Sequence, residues 1–150
     1  MDAAIQNQVP DLVRRFKQRS LGAAEFNHHN HIYVARWYLI NYGLDTGAER
    51  YAKDIRQLAE ALGHGNKFHA TITHALLQLI EQRISSEPDA DWDRFKCGNH
   101  DLFEDARGLL LERYSAATLA SDVARRSIVE PDYPAGTSTQ VRNCSSASRA

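Results

Sequence analysis

Cysteine is scarce: Cys97 and Cys144 are the only two in 150 residues. Their spacing matches no metal motif and Cys144 falls in a stretch expected to be unstructured, so neither a disulfide framework nor a thiolate zinc site is anticipated. Long apolar runs are missing too. Runs such as Ala75-Leu76-Leu77 and Leu109-Leu110-Leu111 fall far short of the roughly 20 residues that span a bilayer. No excess of one charge exists either: 18 Lys and Arg face 19 Asp and Glu, for a net charge of -1. A bulk attraction to nucleic acid or to an anionic membrane is thereby excluded, and neither is expected as a partner. Residues 1–10 lack a basic segment followed by an apolar one, so the expectation is a cytoplasmic protein without a secretory signal. Gly-rich phosphate loops, a nucleophile elbow, internal repeats and alternating strand patterns do not occur.

What remains is 43% hydrophobic and 25% charged residues, enough for one soluble domain with its own core. The patterning is helical throughout. Leu12, Val13 and Phe16 mark a short first helix over residues 11–20. Asn27 suits the N-cap of a second helix that ends at Asn41-Tyr42-Gly43, with Ile32, Ala35 and Leu39 on its apolar stripe. A third helix follows Asp45, with Tyr51, Ile55, Leu58 and Leu62 on one face and Gly63 as its stop. A fourth carries His69, Ile72, Thr73, Leu76, Leu79 and Ile80 on one face. After a break at residues 85–98, Asn99 caps a fifth helix reaching about Tyr114, and a short one is expected over residues 119–127. The predicted fold is all-α: an up-down bundle of about four to five helices in a single domain, residues 1–130, with a disordered tail over residues 131–150, which is rich in Pro, Gly, Ser and Thr.

The uncommon feature is histidine. Seven occur, three of them in Asn27-His28-His29-Asn30-His31. Short connections after the second and third helices make neighbours antiparallel, so the second and fourth helices should run parallel, with His28, His31 and His69 at the same end. His28 and His31, at i and i+3, share a helix face. Three convergent imidazoles need compensation, and a divalent metal (zinc, iron, nickel or copper) is the simplest form of it. Glu25, Asp101 and Glu104 are candidates for a fourth ligand. Thr73, Tyr33, Arg36 and Arg125 are the candidate catalytic or substrate contacts. His29, His64, His74 and His100 fall where capping or solvent accounts for them. Tyr33, Trp37, Tyr38 and Tyr42 make the second helix aromatic, a pattern that packing explains better than a cofactor box. The basic run Arg14, Arg15, Lys17 and Arg19 reads as a solvated helix face.

Phe26-x-His28-x-x-His31, then Lys67-Phe68-His69-x-Thr71-Ile72-Thr73, and later Arg113-Tyr114-Ser115, Ala124-Arg125 and Pro131-Asp132 together resemble an uncharacterised family of small bacterial all-helical proteins. The resemblance implies no activity. It favours His28, His31 and His69 over the other histidines and implies that the segment around Arg125 and Asp132 folds back onto the helices. A fainter likeness is to three-histidine helical bundles such as DinB-like proteins, whose wider helical histidine pair keeps their chemistry from being transferred.

Three functions compete at this level. The first is a metal-dependent enzyme acting on a small-molecule substrate through His28, His31 and His69. The second is a cofactor-free enzyme with a histidine general base oriented by a carboxylate. The third is a non-catalytic helical interaction domain that binds a partner or another copy of itself as a homo-oligomer.

Overall fold

A computed structural model describes residues 9–133. Residues 134–150, most of the segment expected as a tail, lie outside the described part. The chain is all-α: nine α-helices and no strand occur among the described residues. It divides into two compact units, the first ending at Phe68 and the second beginning at His69.

The first unit holds α1 (Asp11–Lys17), α2 (His28–Tyr42), α3 (Leu44–Ala61) and a 3-10 turn (Gly65–Lys67). Asn27 caps α2 as its sequence position predicts, its side chain accepting from the backbone N–H of Asn30 at 2.9 Å. Gly43, at φ +83°, is the single residue between α2 and α3; only glycine enters that region freely, so the chain reverses there and the two helices pack antiparallel. They approach closely because Gly47 has no side chain: a Cβ there would stand 2.7 Å from the carbonyl oxygen of Tyr38. The core is aromatic. Phe16 stacks on Tyr51 at 5.4 Å and meets Tyr38 edge-on at 5.7 Å, with Val13, Ile32, Val34, Leu39 and Leu58 buried around them. Arg19 closes α1 in the left-handed region, and its guanidinium donates to the Gln57 side chain on α3.

The second unit is built on α4 (Ala70–Ser86), followed by α5 (Trp92–Gly98), α6 (His100–Glu104), α7 (Ala106–Leu111), α8 (Ala116–Ala120) and α9 (Asp122–Arg126). The buried face of α4 consists of Thr71, Ala75, Leu77, Leu79 and Ile80. That departs from the expected stripe, since Ile72, Thr73 and Leu76 are only half-buried; α4 packs against both α7 and α9, which widens and turns its covered face. The expected fifth helix is cut in two at Asp105, whose carboxylate accepts from the N–H of Gly108 and starts a new helix. Ser115 and Ser121 cap α8 and α9 in the same way, dividing the last expected helix. Residues 127–133 then run back along the unit, as detailed below.

Candidate functional site

The expected ligands are divided between the two units: His28 and His31 belong to the first, His69 to the second. His28 is exposed at the start of α2 and His31 is half-buried one turn on. The His31 ring stacks on Phe26 at 3.8 Å, and its Nδ1 lies 3.4 Å from the Tyr51 hydroxyl. Burial, reinforced by the neighbouring charge of His28, pushes the His31 imidazole down to about 4. It is therefore neutral at pH 7. Burial also keeps the Tyr51 hydroxyl protonated well above its ordinary range.

His69 is buried and has a different task. It is the N-cap of α4: Nδ1 accepts from the backbone N–H of Ile72 at 3.1 Å, while Nε2 donates to the carbonyl oxygen of Leu119 at 2.7 Å. The accepting Nδ1 fixes the neutral tautomer with the proton on Nε2. Both ring nitrogens are thus committed to backbone groups, and a metal at either would break one of those bonds. The three-histidine set does not fit a metal ion as it stands. Among the described residues no group of three His, Cys, Asp or Glu side chains is arranged to hold one.

The carboxylates proposed as fourth ligands are also placed by structural work. Glu25 accepts from Arg15 at 2.7 Å and from the Gly22 N–H at 3.1 Å; the Arg15 bond, then the Gly22 bond, hold its carboxyl below the usual range. Asp101 forms a two-pronged pair with Arg83, 2.9 Å on each side, and Arg83 also donates to Asn99 at 2.8 Å. Glu104 is exposed at the end of α6. Of the candidate contacts, Tyr33 and Arg36 are half-buried on α2, whereas Thr73 and Arg125 are half-buried on α4 and α9; the four are shared between the two units. Cys97 is half-buried near the end of α5. A concavity of about 410 Å³ at the α4–α5 loop is lined by Glu87, Asp89, Asp91, Arg94 and their neighbours, without any histidine.

Two further constellations stand out. In the second unit, residues 127–133 form an arm whose backbone is pinned along its length. The buried Thr71 hydroxyl donates to the Ser127 carbonyl at 2.7 Å and accepts from the Val129 N–H at 3.1 Å. Tyr114 donates to the Val129 carbonyl at 3.2 Å, and the Tyr133 N–H reaches the Arg113 carbonyl at 3.0 Å. Asp132 accepts from the Ser115 N–H at 2.7 Å and from the Thr118 hydroxyl at 3.0 Å, bonds that hold its carboxyl below the usual range. The arm and the last turn before it carry Val123, Ile128 and Tyr133, which remain 63%, 58% and 47% exposed. In the first unit, Lys17 projects among Trp37, Tyr38 and Tyr42. The aromatic row was legible; that a lysine four helical turns and a loop earlier would enter it was not.

No protein-family model, curated protein or solved structure matches the chain.

Proposed function

We propose that the chain is a non-catalytic helical interaction module whose second unit binds a second copy of itself through the arm at residues 127–133. The observation that carries this reading is an arm held by six hydrogen bonds, four of them to its backbone, while Val123 in the turn before it and Ile128 and Tyr133 on it face solvent. An ordered backbone has already lost the conformational freedom that docking would otherwise cost, so the exposed side chains are preorganised for a partner. Large apolar side chains left exposed on an ordered backbone are a feature of interaction surfaces.

A second copy is the favoured partner because the same stretch of chain carries exposed charges of both signs, Asp122 and Glu130 against Arg126. A two-fold contact sets the same strip against itself and can pair the opposite signs. The strip is narrow beside the roughly 800 Å² per partner of a stable interface, so association in the micromolar range is expected. The histidines have no catalytic part in this reading; His69 in particular serves the fold. Sedimentation velocity over a concentration series tests it. The unmodified chain should show a concentration-dependent dimer that the double substitution Val123→Ser, Ile128→Ser abolishes without changing helicity. A strictly monomeric chain at all concentrations, or a dimer indifferent to the double substitution, sinks the reading.

A further inference from the structure

The rings of Trp37, Tyr38 and Tyr42 stand 5.7 to 5.8 Å apart, centroid to centroid, and meet one another at 73°, 82° and 67°. Trp37 and Tyr38 meet nearly at right angles, and Tyr42 closes the corner with its hydroxyl. The ammonium of Lys17 sits in that corner, 4.9 and 5.3 Å from the Trp37 and Tyr38 centroids; at 5.0 Å from the Tyr42 centroid and 2.6 Å from its oxygen, it lies at the hydroxyl edge of that ring. Each ring face carries negative quadrupole density, and aromatic faces with a hydroxyl oxygen around one cation make an arrangement suited to alkylated ammonium groups. Tyr38 is strengthened further: its hydroxyl donates to the Asp54 carboxylate at 2.6 Å, which pushes electron density toward the ring and leaves a negative charge beyond it.

The lysine can be reached from solvent. Lys17 ends α1 and is exposed, and the one hydrogen bond the ammonium makes in the box is to the Tyr42 oxygen, at 2.6 Å. An ammonium is strongly hydrated and prefers hydrogen-bond acceptors, whereas a quaternary ammonium has none to lose and matches ring faces better. We infer that Trp37, Tyr38 and Tyr42 form a binding site for a quaternary ammonium group, and that Lys17 is its resident plug. The Arg50 guanidinium, 4.6 Å from the Tyr42 ring, lies at the border of the site. It would receive an anionic group adjoining the ammonium, as in a betaine or a choline ester of phosphate. The site lies wholly in the first unit and is independent of the self-association proposed for the second.

Displacement of a plug weakens apparent affinity by the fraction of molecules with the box open, so removing the lysine should tighten binding about tenfold. Choline and its uncharged isostere 3,3-dimethylbutan-1-ol are the probes. The indole N–H resonance of Trp37 reports on the box by NMR, and that of Trp92, in the second unit, serves as reference. In the unmodified chain choline should shift the Trp37 signal alone. Lys17→Ala should reach half-saturation at about one tenth of the choline concentration. Tyr42→Phe, which keeps the ring and removes the oxygen that holds Lys17, should lie between the two. The uncharged alcohol should shift nothing. An equal response to choline and the alcohol would reduce the box to an apolar crevice, and no choline shift in the Lys17→Ala protein would overturn the site. Lys17 is exposed, so that variant tests the idea without opening the core.

Discussion

The Nε2 atom of His69 donates to the carbonyl oxygen of Leu119 across 2.7 Å, joining the start of α4 to α8 over fifty residues of chain. With Nδ1 capping α4 at the same time, one imidazole ties together a helix terminus and a distant segment.

His69→Ala should therefore destabilise the protein. Loss of an N-cap costs about 0.5–2 kcal/mol, and a buried carbonyl left without its donor costs about 1–3 kcal/mol more. His69→Asn restores a capping oxygen but not the reach to Leu119, and should recover roughly half. Urea unfolding of the three proteins checks the order. An alanine variant as stable as the unmodified chain would return His69 to the pool of functional residues.

Thr71 anchors the arm through one oxygen that both donates and accepts. Thr71→Val keeps the shape and removes both bonds, for a loss of about 1–2 kcal/mol. Amide hydrogen exchange at Val129 should quicken, while exchange at Ile32 in the first unit stays as it was. If the arm is the docking surface, the same variant weakens self-association.

The depressed His31 imidazole ties stability to pH. Its folded value, about 4, lies below the ordinary 6.5, so the unfolded chain binds the extra proton between those two values. Stability is then fully present above about pH 6.5 and falls as pH drops toward 4, by up to about 3 kcal/mol, with no further loss from this group below that. Thermal melts from pH 7 to 4 should show a shallower decline in His31→Gln than in the unmodified protein. Parallel slopes would show that His31 is free to take up a proton in the folded state.

Gly47 reports on the contact between α2 and α3. Alanine is the better helix former by about 1 kcal/mol, yet its Cβ would press on the Tyr38 carbonyl. Gly47→Ala should be destabilising by about 1–3 kcal/mol. A gain in melting temperature would mean that the two helices can separate at no cost.

Much of the fold was legible because its signals are local. Asn27 as a cap, Gly43 as a reversal and the periodic Tyr51, Ile55, Leu58 of α3 each act within one or two turns of chain. The breaks at Asp105 and Ser121 were missed although their residue types favour caps, because the apolar rows of Leu102, Leu109, Leu110 and Leu119 continue across them. Periodicity alone does not tell one long helix from two short ones that share a face.

The histidines show where sequence stops. That His28 and His31 share a face of α2 follows from 3.6 residues per turn, and the pattern alone determined it. What each imidazole does was decided by the tertiary structure: His69 is committed to the carbonyl of Leu119 and His31 is held neutral against Phe26 and Tyr51, whereas His28 is exposed at the start of α2. The same division holds for Thr71 and Lys17, whose partners at Ser127, Val129 and Tyr42 lie 25 to 58 residues away. A side chain's chemistry is written in its residue type, but the desolvation and hydrogen bonding that direct it come from segments that only folding brings beside it.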